Sequence, residues 1–162
     1  HVLQIDSDGQ HDAARVGHFV EVSKKNPEAI ICAYPEYDES APKHRVNGRT
    51  IANAWIHTVT LSKQIKDGMI GFRIYPVAPY VKLLNSHAII DARMGYDIDI
   101  LVRLFWKNVP VICESVKVTY PVDGVSNFRL VRDNARISLT YARLFLGMIV
   151  RLPILIYRKV KR

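Results

Sequence analysis

Residues 1–12 read HVLQIDSDGQHD, and the passage from Ile5 to Asp8 decides the fold. Val2, Leu3 and Ile5 form a short apolar run that predicts a buried strand. Asp6, Ser7, Asp8, Gly9 and Gln10 then predict the loop leaving its carboxyl end, where open α/β sheets bind ligands. Two carboxylates one residue apart, freed from the strand by Gly9, can share one hard cation, with the Gln10 amide oxygen as a third ligand. The same residues also suit an acidic turn capping the helix that follows. An EF-hand loop is excluded, because the spacing lacks its further oxygen ligands and its closing glutamate.

Outward from this loop, apolar spacing predicts a helix over 13–25 that stops before Asn26-Pro27, and a strand over 29–35. Residues 36–49 are polar and turn-rich and predict a loop. A second helix is predicted over 51–65, closed by Asp67-Gly68. MIGFRIYP (69–76) predicts a strand, APYVKLLN (78–85) a short helix, YDIDILVRLFWKN (96–108) an amphipathic helix and VPVICESVKVTYP (109–121) a strand. Alternating strands and helices favour an α/β layer fold.

At 162 residues, 49% hydrophobic and 23% charged, the chain is long enough for one cored domain. Cys32 and Cys113 lie in no metal-ligand spacing and exclude a disulfide scaffold; both are expected to be buried and inert. The chain starts at His1, directly on its first strand, and is expected to be a piece of a longer protein. The net charge is +8. From Phe128 onward nine Lys and Arg stand against the single acid Asp133, which points to an anionic partner.

The last segment is the most regular. On a helical wheel Leu130, Ile137, Tyr141, Leu144, Phe145, Met148 and Leu152 share one face, and Arg132, Arg136 and Arg143 form a stripe on the other. Pro153 is expected to interrupt the helix. The run from Leu144 to Tyr157 is then too short, and too broken by Arg151 and Pro153, to cross ~30 Å of hydrocarbon. The pattern fits a basic amphipathic helix lying in a membrane interface, with the three arginines on the anionic surface. A helix packed on its own sheet, with its arginines in water, fits it too.

Several stretches together resemble one family. IDSDGQH (5–11) resembles the D-x-D motif of family 2 glycosyltransferases with a GT-A fold, most closely its DADxQH form in dolichyl-phosphate-mannose-synthase-like enzymes. DGMIGFRIYP (67–76) resembles the family's D-x-x-x-GFR stretch. MGYDIDILVRLFWKNVPVICESVKVTYP (94–121) resembles its acceptor-side helix and following strand. YPVDGVSNFRLVRDNARIS (120–138) is most like bacterial members tied to envelope lipid or polysaccharide assembly. The D-x-D alone is weak; its place at a strand end, with GFR and GYD following in order, is specific.

The resemblance implies a GT-A-type mixed sheet flanked by helices, missing its first nucleotide-binding strands, with a C-terminal amphipathic helix. Residues 1–128 would be the C-terminal part of the catalytic domain, and 129–162 a basic, membrane-interfacial helix and tail. The implied activity is metal-dependent, inverting transfer of a sugar from a UDP- or GDP-linked donor to a lipid-linked or cell-envelope acceptor. It would take place at the cytoplasmic face of the membrane, and the 162-residue chain alone is expected to be inactive. Mg²⁺ or Mn²⁺ would be held by Asp6, Asp8 and Gln10, with Asp6 also near the donor, because carboxylate sites do not separate the two ions well.

Arg45, Arg49 and Arg73 would grip phosphate, since a guanidinium presents two parallel N–H groups. Each also reads as an ordinary charge, with Asp67 a structural partner for Arg73. Asp97, matching the GFE/GYD position, would be the base that deprotonates an acceptor hydroxyl, with Asp99 in reserve; an ionised phosphate acceptor needs no such base. Both aspartates also suit a helix N-terminus, worth ~0.3–1 kcal/mol. A catalytically incomplete, membrane-peripheral binding protein is the alternative from another class. Nucleic-acid binding rests on charge alone, with no supporting motif, and is not expected.

Overall fold

The computed structural model describes residues 1–39, 41–119 and 129–161. The first strand, β1 (Val2–Ile5), pairs antiparallel with β3 (Phe72–Tyr75). That strand pairs antiparallel with β2 (Ile30–Tyr37), which runs parallel to β4 (Val111–Val118). The result is a mixed four-stranded sheet of order β1-β3-β2-β4. Helices flank it: α1 (Val16–Lys25), preceded by a 3₁₀ turn, α2 (Lys43–Thr60), α3 (Val77–Leu84), α4 (Tyr96–Trp106) and α5 (Leu130–Val160). The α/β expectation therefore holds at the level of a mixed open sheet with flanking helices.

Each face of the sheet has its own core. Ile31, Ala33, Phe72 and Ile74 pack against Phe19 of α1, whose ring stacks on Phe72 at 4.4 Å. On the opposite face Ile30, Cys32, Tyr75 and Val111 meet Ile56 and Val59 of α2, Ile100, Leu101 and Leu104 of α4, and Ile137, Tyr141 and Leu144 of α5. Register partners in neighbouring strands share a face. Gln4, Arg73, Cys32 and Cys113 therefore form one row across the sheet beneath these helices.

Three local expectations need correction. The helix expected from Ile51 starts at Lys43, after an extended Pro42, so Arg45 is a helical residue and not a loop residue, and Arg49, expected at the helix start, lies within it. Its first turns are polar because they face water, which hid the period. It also ends early, at Thr60. Leu61 adopts φ 50°, and its N–H caps the carbonyls of His57 and Thr58.

The third correction concerns Pro153. A proline inside a helix removes one hydrogen bond and crowds the preceding turn, yet α5 runs unbroken through it. Packing on both sides holds it: Leu144 and Met148 before the proline and Leu155 after it are buried. The Arg151 guanidinium lies 4.7 Å above the Trp106 ring, and Arg158 Nη1 donates to the Trp106 carbonyl at 2.8 Å. By length and composition alone α5 is long and apolar enough to cross a membrane, which removes the stated ground for its being too short. The region from Tyr120 to Phe128, with the expected boundary at 128/129, and the side chain of Leu130 lie outside the described residues.

Candidate functional site

The acidic loop starts where β1 ends. Asp6 N–H donates to the Gly71 carbonyl at 2.9 Å, and a Cβ on Gly71 would stand 2.1 Å from Asp6 Oδ1. Only glycine there lets the Asp6 carboxylate lie against the sheet. His11 Nε2 approaches that carboxylate at 3.7 Å. The neighbouring His11 ring is the largest influence holding the Asp6 carboxyl below its ordinary pKa; burial opposes it, and the Arg73 charge adds to it. His11 is itself almost fully buried, and its Nδ1 has no hydrogen-bond partner.

Asp8 is exposed at the loop tip. Its Oδ1 accepts Gln10 N–H at 3.0 Å, an Asx turn that Gly9 permits with φ +73°. The helix that follows is capped by Asp12, which accepts Ala14 N–H at 3.0 Å. The capping role offered as the alternative for Asp6 and Asp8 belongs to Asp12. Among the described residues no three His, Cys, Asp or Glu side chains converge on one point. The donors present are nonetheless of the right chemistry for Mg²⁺ or Mn²⁺: two carboxylates and one amide oxygen, in an open arrangement. Such ions take few protein ligands and complete their shell with water and substrate phosphate.

Arg73 lies one register step further along the sheet. It is 0% exposed. Its Nη1 donates to Tyr75 Oη at 3.1 Å and to the Asp97 carbonyl at 2.7 Å, while Nε and Nη2 have no partner. The Asp97 carboxylate stands 3.8 Å from Nη1 and accepts Gln4 Nε2 at 2.7 Å. Beside it the hydroxyls of Tyr80 and Tyr96 are hydrogen-bonded to each other, and the Tyr75 and Tyr80 rings are 5.1 Å apart. Three elements thus deliver Asp6, Gln4, Arg73 and Asp97 to one end of β1.

The other expected site residues are placed elsewhere. Asp99 is 0% exposed. Its carboxylate accepts from Arg103 Nε, from Arg143 Nη2 at 2.9 Å and from Asp91 N–H at 2.9 Å. Both oxygens of the Asp99 carboxylate are thus engaged by two arginines and a backbone N–H. Arg143 is correspondingly turned inward and does not belong to an outward arginine stripe with Arg132 and Arg136. Arg49 pairs with Asp67 at 3.3 Å; this carboxylate also caps Met69 and Ile70 N–H and accepts from Asn53. Arg45 is exposed in the first turns of α2. A groove of about 520 Å³ lined by Pro27, Pro76 and Pro110 lies at the opposite end of the sheet from Asp6.

Sequence reading missed Gln4, Tyr80 and Tyr96 as members of this cluster, and it missed that Cys32 and Cys113 are register partners. Gln4 left one faint signal, an amide in an otherwise apolar strand. Burial raises the Cys32 thiol to about 12 and the Tyr75 phenol to about 12. Because the folded state keeps these protons longer than the unfolded chain, stability is fully present below pH ~9 and falls as pH rises from there through the folded values. Each group steepens the fall by up to ~1.4 kcal/mol per pH unit. Urea midpoints measured from pH 8 to 11 should decline, and Cys32→Ala should flatten the onset near pH 9; an unchanged slope would show that Cys32 is not its source.

No protein-family model, curated protein or solved structure matches this chain.

Proposed function

We propose that this chain carries the site of a family 2, GT-A-type glycosyltransferase. It would transfer a sugar from a UDP- or GDP-linked donor to a lipid-linked or envelope acceptor at the cytoplasmic face of a membrane. The observation that carries the reading is the buried Arg73, with Nε and Nη2 unspent, standing between the Asp6 loop and Asp97. A buried cation with open donors calls for an anion, and a nucleoside diphosphate leaving group is one. Supporting it are the order of the D-x-D, GFR and GYD stretches and their convergence on the carboxyl end of β1.

In this reading Asp6, Asp8 and Gln10 hold Mg²⁺ or Mn²⁺, which when bound offsets the negative charge that develops on the departing diphosphate. Arg73 directs Nε and Nη2 at a phosphate oxygen. Asp97 accepts the proton of an acceptor hydroxyl as the bond from that oxygen to the sugar carbon forms and the bond to diphosphate breaks. Gln4 fixes the Asp97 carboxylate from β1, and the Arg73 contact with the Asp97 carbonyl fixes its backbone, so the base needs little reorganisation.

The test is turnover of UDP- and GDP-sugars on lipid acceptors by the complete protein with Mn²⁺ present. Asp8→Ala should lower it by roughly 10³-fold or more, the several kcal/mol a metal supplies, with circular dichroism unchanged. Wild-type turnover by Asp8→Ala would sink the reading. One observation favours a second reading, a binding protein without catalysis. Among the described residues β1 is an edge strand with Val2, Leu3 and Ile5 exposed, which leaves the site open along that edge of the described sheet. Tight nucleotide binding with no turnover under the same conditions would select it.

A further inference from the structure

The inner face of α5 is fastened along its length to the domain, by Asp133, Ile137, Tyr141, Leu144, Met148 and Leu155, all buried. Its outer face has no comparable use in the site. Between Leu139 and Tyr157 the only charged residues are Arg143 and Arg151, and both are spent on the protein, on Asp99 and on the Trp106 ring. Apart from the exposed Arg151, what faces water there is apolar: Leu139 is 67% exposed, Leu146 65%, Val150 81% and Tyr157 58%. Trp55 of α2, 43% exposed, widens this surface; its ring lies 6.2 Å from that of Phe145, with exposed Ile51 one turn away.

A helix apolar on all sides belongs either in a protein core or in lipid. The exposed face is too broad for a coiled-coil seam, which is a narrow a/d stripe flanked by charges, and Pro153 sits within it. Charge marks its ends instead, with Arg132 and Arg136 before it and Lys159 and Lys161 after it. From Leu139 to Val160 the strip runs about 33 Å at 1.5 Å per residue. The ties from Asp99, Trp106 and the core span both halves of the helix, so it lies flat on the domain and cannot also stand across a bilayer.

We propose that α5, with Ile51 and Trp55 beside it, is an in-plane lipid-binding surface. Its outer face enters the acyl boundary of one leaflet, and the basic residues at its two ends meet anionic headgroups. This rests on the membrane half of the reading above and names its contact surface; it is read out without any sugar transfer, so the two fail separately.

The experiment is sedimentation of the full chain with phosphatidylcholine vesicles, with and without about a third phosphatidylglycerol, where each basic residue adds roughly fivefold in affinity. Brominated acyl chains should quench the Trp55 fluorescence. Leu146→Glu should weaken binding about tenfold or more, the worth of one buried leucine, without changing circular dichroism. If that variant does not fold, Val150→Gln carries the same test. Trypsin added outside the vesicles should cut at both basic ends. Absence of vesicle binding, unaltered binding by the variant, or protection of one end across the bilayer would each overturn the proposal. So would a vesicle-free dimer that Leu146→Glu dissociates, because a second copy would then cover the face.

Discussion

Asp99→Ala is expected to destabilise the chain by about 3–5 kcal/mol, the usual consequence of removing one partner from a buried ion pair. Asp99 is fully buried and accepts from Arg103 on its own helix and from Arg143 on α5. Without it two partly buried guanidinium groups face each other with no counter-charge, and Asp91 N–H loses its acceptor. For a domain of this length the melting temperature should fall by roughly 6–20 °C. Asp97→Asn should behave oppositely. Asp97 is a quarter exposed and its Gln4 contact survives in the amide, so stability should fall much less than in Asp99→Ala while transfer to a hydroxyl acceptor drops by ~10²–10⁴.

Urea denaturation of the two single variants and of Asp99→Ala/Arg143→Met separates the contributions. The double variant should lose clearly less than the sum of its singles, because removing Arg143 also removes one stranded charge. A loss below ~1 kcal/mol for Asp99→Ala would mean that apolar packing alone joins α5 to α4.

What the sequence conveys here, and what it hides, follows the range of the interactions. β2 and α4 are legible because each carries its own apolar pattern; β1 is legible as a strand but not as the buried strand expected, because Val2, Leu3 and Ile5 lie exposed on the sheet edge. The start of α2 is not, because its first turns face water and its core residues Ala52, Ile56 and Val59 begin only halfway along. Pro153 is misleading because its local penalty is outweighed by Trp106, a residue 47 positions upstream that clamps Arg151 and Arg158. The Asp97/Asp99 ambiguity was only half solvable locally. Residues two apart on a helix point to different sides, so one aspartate meets the sheet edge and the other meets α5. Which one meets which depends on Gln4 and Arg143, 93 positions before Asp97 and 44 after Asp99, and no local pattern carries that.

Arg73→Met is expected to leave stability within about 2 kcal/mol while abolishing diphosphate binding, a combination that separates a site residue from a structural one. The guanidinium is fully buried, and only one of its three nitrogens is engaged. Its nearest carboxylate, Asp97, stands at 3.8 Å and spends an oxygen on Gln4. A charge removed from water costs several kcal/mol unless paired and fully hydrogen-bonded. This one is paired only loosely, with Asp97 at 3.8 Å, and two of its nitrogens carry no hydrogen bond, so the fold gives up little when an apolar side chain of similar length replaces it. Tyr75 Oη loses a donor, at ~1–3 kcal/mol, and the relief of the stranded charge offsets that. A ligand phosphate, by contrast, would lose two charge-assisted hydrogen bonds worth ~1.5–3 kcal/mol each, which is at least about 100-fold in affinity. Calorimetric titration with UDP and GDP, beside urea melts of the same protein, decides it. Arg73→Lys should not restore binding, because an ammonium on a shorter stem cannot present two N–H groups in one plane. If Arg73→Met instead unfolds the chain while diphosphate affinity in the folded fraction is unchanged, Arg73 is a tie between β3 and α4, and the anion site must be sought on the loop from Asp6 to His11 alone.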